Sequence, residues 1–233
     1  MNCKLVALSK PSADTDCHTA EELIAYCARV SNPSNQSNVS TASKLVKYLV
    51  ENQHFSPLEM VSMTLSIETT RDIARQILRH RSFSFQEFSQ RYAEVKDMEF
   101  VHRECRLQDN KNRQNSIEIE NKDLAEAWKM RQNALLYLAK ETYQWALDQG
   151  IAKEQARVVL PEGMTPSRMY MAGSIRSWLH YCLLRMGNGT QKEHRLIAEE
   201  CWKILGAHFP NIVKIFDEQK EEIVQELHNN SSG

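Results

Sequence analysis

The sequence predicts an α+β fold, a helix-rich single domain with a small, mostly antiparallel sheet. Three observations predict it. Apolar residues recur at helical spacing over long stretches, above all Leu124 to Gln149. Strict alternation occurs once, where Val61, Met63, Leu65 and Ile67 interleave with Ser62, Thr64, Ser66 and Glu68, the pattern of a half-buried strand. There is no internal repeat and no low-complexity linker, so residues 1–218 read as one domain and residues 219–233 as a helix end and loose tail.

The elements follow in order. Leu5 to Leu8 reads as a short strand. Thr19-Ala20-Glu21-Glu22 is a capping box that opens a helix to about Val30. Ser31 to Ser40 is rich in Ser, Asn and Pro and is expected to be a loop. Ala42 to Asn52 is amphipathic, with Leu45, Val46, Leu49 and Val50 on one face. Arg71 to Arg79 reads as a helix with Ile73, Ala74, Ile77 and Leu78 inward. Leu107 to Glu120 is polar and reads as an excursion loop. The long helix should end at Gly150, a suitable C-cap. Arg168 to Ala172 reads as a strand, and Ile175 to Arg185 as a helix with Trp178, Leu179, Cys182 and Leu183 apolar. Gly187-Asn188-Gly189 is a turn. Thr190-Gln191-Lys192-Glu193 is a second capping box, opening a helix to about Leu205, and Ile212 to Leu227 is helical by pattern. The number of apolar helix faces points to surface buried against other subunits.

Composition narrows the class. Of 233 residues, 42% are hydrophobic and 25% charged, the balance of a protein that buries a core. The net charge of -1 gives no global case for nucleic-acid or membrane binding, so an anion site must be built locally. No apolar run approaches the roughly 20 residues of a membrane span, and Met1 to Lys10 lacks a signal-peptide layout. The six cysteines include no Cys-x-x-Cys pair, so no metal centre or dithiol motif is expected. Reduced thiols and a cytoplasmic location, or a host cytoplasm for a viral product, are the expectation.

The densest chemistry lies in Arg79-His80-Arg81-Ser82-Phe83-Ser84-Phe85-Gln86-Glu87-Phe88-Ser89-Gln90-Arg91-Tyr92. Arginine forks fit phosphate and carboxylate oxygens, serines add neutral donors, and aromatic rings offer flat walls. The mixture suits a flat, phosphate-bearing ligand. Arg71, Arg75 and Arg79 share a helix face, with Glu68 and Asp72 placed to relieve the first two. Arg79 and Arg81 have no acid three or four residues before or after them, so either they point to bulk water or they await a distant or bound anion; Arg185 has none before it and is free for a ligand. Arginines on both sides of His80 disfavour its protonation. Ser89 reads as a phosphate-binding hydroxyl rather than a nucleophile, because no Gly-x-Ser-x-Gly elbow surrounds it. Neither a Gly-x-Gly-x-x-Gly loop nor a Walker loop is present.

Arg79-His80-Arg81, then seven residues, then Ser89 and Arg91, resembles the signature of the flavin-dependent thymidylate synthases. Ala28 to Ser31, His54 to Glu59, Glu154 to Pro161, and Ser174 to Arg176 through Leu184-Arg185 resemble the family's other blocks, in the same order. The resemblance implies the family's fold, a homotetramer with FAD between subunits, and conversion of dUMP to dTMP. Methylenetetrahydrofolate would give the carbon and NADPH the electrons. It further implies FAD contacts at Ser56, Arg79, His80, Arg81, Glu87, Ser174, Ile175, Arg176 and His180. Its dUMP contacts fall on Gln76, Arg79, Glu87, Phe88, Ser89, Gln90, Arg91, Arg157 and Arg185, the last activating the uracil ring. Gln86, Ser174 and His180 depart from the commoner family pattern, where Asn is frequent. Arg176 and Arg185, nine residues apart on one helix, face opposite ways, which fits a site assembled from several subunits. Two alternatives stand beside this: a related flavoenzyme for another pyrimidine nucleotide, and a nucleic-acid-binding module using Arg79, Arg81 and Arg91.

Overall fold

The computed structural model describes residues 2–91 and 99–218. Its main sheet has four strands: β1 (Asn2–Leu8), β2 (Ser62–Thr70), β3 (Ser84–Glu87) and β6 (Pro166–Ser174), in the order β1-β2-β6-β3. Every pairing is antiparallel. The β2–β6 ladder runs unbroken from Ser62 opposite Ser174 to Thr70 opposite Pro166. The alternation read in β2 is borne out: Met63, Leu65 and Ile67 are buried, and Leu65 and Ile67 face Met171 and Met169 across the ladder. The strand expected over Arg168 to Ala172 is β6, two residues longer at each end.

Helices α1 (Ala20–Ala28), α2 (Ala42–Glu51), α3 (Arg71–Ile77), α6 (Ile175–Arg185) and α7 (Lys192–His208) supply the rest of the main core. The first capping box forms in full: Thr19 Oγ1 accepts from the Glu22 amide at 3.1 Å, and Glu22 Oε2 from the Thr19 amide at 3.0 Å. Its neighbour Glu21 has another task. The buried carboxylate accepts from the amides of Asn211 and Ile212 at 3.1 and 3.2 Å, capping helical residues 210–218. Trp178 is fully buried and donates from Nε1 to the Met63 carbonyl at 2.9 Å, tying α6 to the sheet.

Helix α4 (Lys122–Asp148) carries a second small core, where Tyr143 and Ala146 meet Ala156 of the short helix α5 (Lys153–Ala156). Gly150, just past its end, has φ +76°, the left-handed C-cap that the sequence predicts. Leu124, Trp128, Leu135, Leu138 and Trp145 of the same helix are exposed.

Several expectations are corrected. Leu107 to Glu120 is not all loop: β4 (Arg106–Gln108) and β5 (Ser116–Glu118) form a hairpin. The second capping box does not form, and α7 starts one residue later at Lys192 with no side-chain cap, because the Glu193 carboxylate turns to Arg106 instead. Helix α3 stops at Ile77, so Leu78 is exposed and Arg79 lies beyond the helix. Leu183 is also exposed. The predicted last helix is seen over 210–218, while Tyr92 and the tail expected over 219–233 lie outside the described residues.

Gly173 is required by its neighbour. A Cβ there would lie 2.5 Å from the buried Phe83 ring. Gly173→Ala should destabilise the fold by about 2 kcal/mol through overpacking, read as a lower urea midpoint; an unchanged midpoint would show that Phe83 can move aside.

Candidate active site

Two strand-to-helix junctions build the site. Thr70 ends β2 and starts α3, while Ser174 ends β6 and caps α6 by accepting from the Ser177 amide at 3.3 Å. Between α3 and β3 runs Arg79 to Phe83. Phe83 anchors this loop, edge-on to Trp178 at 4.9 Å and to Tyr181 at 6.0 Å. Arg79 and Arg81 are thereby left exposed, with no ion pair among the described residues.

His80 turns inward and packs edge-on against Tyr181 at 4.9 Å. Arg185, at the last turn of α6, donates from Nε to His80 Nε2 at 2.9 Å, so Nε2 is unprotonated. Burial lowers the His80 pKa to about 4, with Arg185, His180 and Arg79 adding to the effect. The neutral imidazole expected from the sequence is thus found, but burial outweighs the flanking arginines. Behind it, His194 is fully buried, its pKa lowered to about 3 by burial, Arg185 and His80. Its Nε2 meets the Tyr181 hydroxyl and its Nδ1 the Gln76 Oε1, both at 3.2 Å. Gln76 donates from Nε2 to Gln191 Oε1 at 2.8 Å.

At the other end of α6, Glu59 collects Arg176, at 3.0 Å, and the Ser174 hydroxyl. Glu59 and Arg176, with Phe55, Ser82, Ser177, Leu179, His180, Leu183 and Phe216, border a cavity of about 590 Å³. Ser56 opens the turn Ser56–Met60 beside it. Ile175 is wholly buried and spends its amide on the Val61 carbonyl, so its side chain offers nothing to a ligand. Gln86 lies exposed on β3.

The remaining candidates form two further groups. Glu87 accepts from the Ser167 hydroxyl at 2.7 Å and faces Arg71 at 3.9 Å. Phe88 borders a separate cavity of about 400 Å³ with Ser167 and Arg168. Arg91 reaches Glu154 Oε2 at 3.4 Å, and Arg157 donates from Nε to the Glu154 carbonyl at 3.3 Å. Ser89 Oγ accepts from the Arg91 amide at 3.4 Å, and Gln90 Nε2 is buried without a hydrogen-bond partner among the described residues. The local charge relief read from spacing is replaced by tertiary pairs. Glu68 binds Arg168, Asp72 binds Arg103, Arg71 faces Glu87 and Arg75 binds Glu162.

Residues 14–211 match the family model described as thymidylate synthase complementing protein. A probable flavin-dependent thymidylate synthase of Paramecium bursaria Chlorella virus 1 is 50% identical, covering 93% of this chain and 99% of the relative. The chain belongs to the flavin-dependent thymidylate synthase family. It is an enzyme, so the nucleic-acid-binding alternative is set aside. The flavin-dependent thymidylate synthase of Synechocystis sp. is 47% identical over 91% of this chain and 97% of its own. Among solved structures, a UMP/dUMP methylase, PolB from Streptomyces cacaoi, bound with 5-Br dUMP, superposes with a TM-score of 0.79. It is 27% identical, covering 93% of this chain and 94% of that one.

Sequence reasoning missed Glu59, Tyr181, Gln191 and His194 as parts of the site. One signal was available for His194. It falls in register with Ile197, Ala198, Cys201 and Leu205, all fully buried, on the inner face of α7.

The half-buried His80 and the buried His194 set an acid limit. Their folded pKa values lie below the ordinary value of 6.5, so the unfolded chain binds more protons between the two. Their contribution to stability is complete above pH 6.5 and falls as pH drops toward about 4 for His80 and about 3 for His194. Melting temperature should therefore decline from pH 7 to 4.5, and less steeply in His194→Gln; parallel curves would remove His194 from the effect.

Proposed function

We propose that the chain is a cytoplasmic homotetramer that reductively methylates dUMP to dTMP. FAD is the cofactor, methylenetetrahydrofolate the carbon donor and NADPH the reductant. The observation that carries the chemistry is Arg185. Its guanidinium has no carboxylate partner among the described residues, and its Nε is held by an imidazole that stays neutral at working pH. Uracil C5 is a poor nucleophile, and a fixed cation beside N3 and its neighbouring carbonyl favours the negative charge that activates it. A donor of this kind is typically worth about 3–4 kcal/mol. A cysteine attack at C6 is not favoured: Cys3, Cys182 and Cys201 are buried, and burial pushes the thiols of Cys17, Cys27 and Cys182 up.

The cavity of about 590 Å³ suits a flavin in its donor set. Phe55, Leu179, Leu183 and Phe216 supply flat apolar walls, while His180, Ser82 and Ser177 supply polar edges. Arg176 is already paired with Glu59, so an anionic part of the cofactor would compete with that carboxylate. Arg79 and Arg81, unpaired among the described residues, would hold phosphates, with Ser56, His80, Glu87 and Ser174 alongside. When bound, the flavin supplies the hydride that completes the methyl group. For the nucleotide we place Arg91, Arg157, Ser89 and the Gln90 donor, unpartnered among the described residues, in one group, and Gln76, Arg79 and Arg185 in the other, with Glu87 and Phe88 between. Arg176 and Arg185 engage different partners, Glu59 and His80, in keeping with sites shared between subunits. The exposed Leu124, Trp128, Leu135, Leu138 and Trp145 of α4 give those subunits an apolar face to bury.

The deciding experiment is anaerobic tritium release from C5-labelled nucleotide with methylenetetrahydrofolate, NADPH and flavin-loaded protein. Release with dTMP formation is expected from dUMP. The name of the Streptomyces cacaoi enzyme includes UMP, so labelled UMP is the second substrate, and faster release from it would reverse the preference proposed here. Arg185→Ala should retain flavin and lose about 10²- to 10³-fold in turnover, the effect of one lost stabilising donor. Normal turnover in that variant would remove Arg185 from the mechanism.

A further inference from the structure

The amide chain behind α3 has a fixed polarity, and one anion fixes it. Burial pushes the Glu193 carboxyl up, but hydrogen bonds from its own amide and Gln191, with Arg103 and Arg106, hold it below the usual range. A carboxylate only accepts hydrogen bonds. Gln191 must therefore turn Nε2 toward Glu193 Oε2, at 3.0 Å. Its Oε1 is left for Gln76 Nε2, at 2.8 Å. Gln76 then presents Oε1 to His194 Nδ1 at 3.2 Å, so that nitrogen carries the proton. His194 Nε2 accepts from the Tyr181 hydroxyl at 3.2 Å, and burial keeps that phenol protonated. Each group has one orientation that satisfies both neighbours.

The anion itself is fastened from elsewhere in the fold. Arg106 comes from the β4–β5 hairpin, and Arg103 also binds Asp72 at 2.7 Å. Gln76 keeps one N–H and one oxygen lone pair outside the chain. If its amide turned over, a donor and an acceptor would exchange places, and any ligand group paired with it would be mispaired.

We infer that Gln191 and Glu193 are positioning residues that lock the amide of Gln76 for the nucleotide. The donor–acceptor face offered to substrate is then set by the residues behind Gln76. This rests on the reading of Gln76 as a dUMP contact.

The test is a double-mutant cycle on dUMP binding, measured by calorimetry with the flavin-loaded full chain. Gln76→Ala should raise Kd about tenfold, the ordinary cost of a lost buried polar contact. Gln191→Met removes the polarity signal at similar size and should raise Kd by that factor or less. The double variant should bind no more weakly than Gln76→Ala alone, with flavin content unchanged throughout. A structural role for Gln191 would instead weaken binding further in the Gln76→Ala background. Losses that multiply, or no loss in Gln191→Met, overturn the inference and leave Gln76 as a substrate contact. No loss in Gln76→Ala overturns both the substrate contact and the inference built on it. Gln191→Ala repeats the cycle without the longer side chain, so a folding defect in the methionine variant does not decide the outcome.

Discussion

The unbroken antiparallel register between β2 and β6 is the constraint from which the site follows. It sets Ser62 opposite Ser174 and Thr70 opposite Pro166, so the helices that begin at Arg71 and Ile175 start from opposite ends of one ladder. Met63, Leu65, Ile67, Met169 and Met171 give both helices a common apolar floor. The last turn of α6 then meets the loop that leaves α3, and Arg185 finds His80 there. A one-residue slip would turn every one of those side chains to the other face of the sheet.

Charge is arranged around that floor by exclusion as much as by pairing. The two imidazoles nearest Arg185 are held neutral, mainly by burial, so the guanidinium meets no competing cation within its own network. The carboxylates of the candidate site are paired with other arginines: Glu193 with Arg106 and Arg103, Glu59 with Arg176, and Glu154 with Arg91. Arg185 is thereby left oriented by His80 and without a carboxylate partner among the described residues.

Much of the fold was legible because its signals are local. The alternation around Met63 to Ile67, the Thr19–Glu22 capping box and the apolar face of Ala42 to Asn52 each concern residues within one or two turns of each other. The candidate site was legible as residue types: Arg79, His80, Arg81, Ser89, Arg91 and Arg185 are groups that suit an anion before any partner is known. What misled was local reasoning about charge. Glu68 and Asp72 stand near Arg71 and Arg75 in sequence, yet they bind Arg168 and Arg103. The partners that won come from other elements, and nothing local records their approach. The same holds for the second capping box, where Arg106 on a distant hairpin claimed Glu193.

The sequence by itself determined the fold class, the order of most elements, the family and the chemical kind of ligand, because periodicity, capping and a spaced motif are properties of neighbouring residues. Only the tertiary structure decided which end of α6 serves which group, that Ile175 is core, that Leu107 to Glu120 folds into a hairpin, and that His194, Tyr181 and Gln191 stand behind Gln76. The reason is physical. Hydrogen-bond direction, burial and the resulting protonation states depend on atoms brought together from far apart in the chain, and they exist only once the sheet has fixed which helices touch.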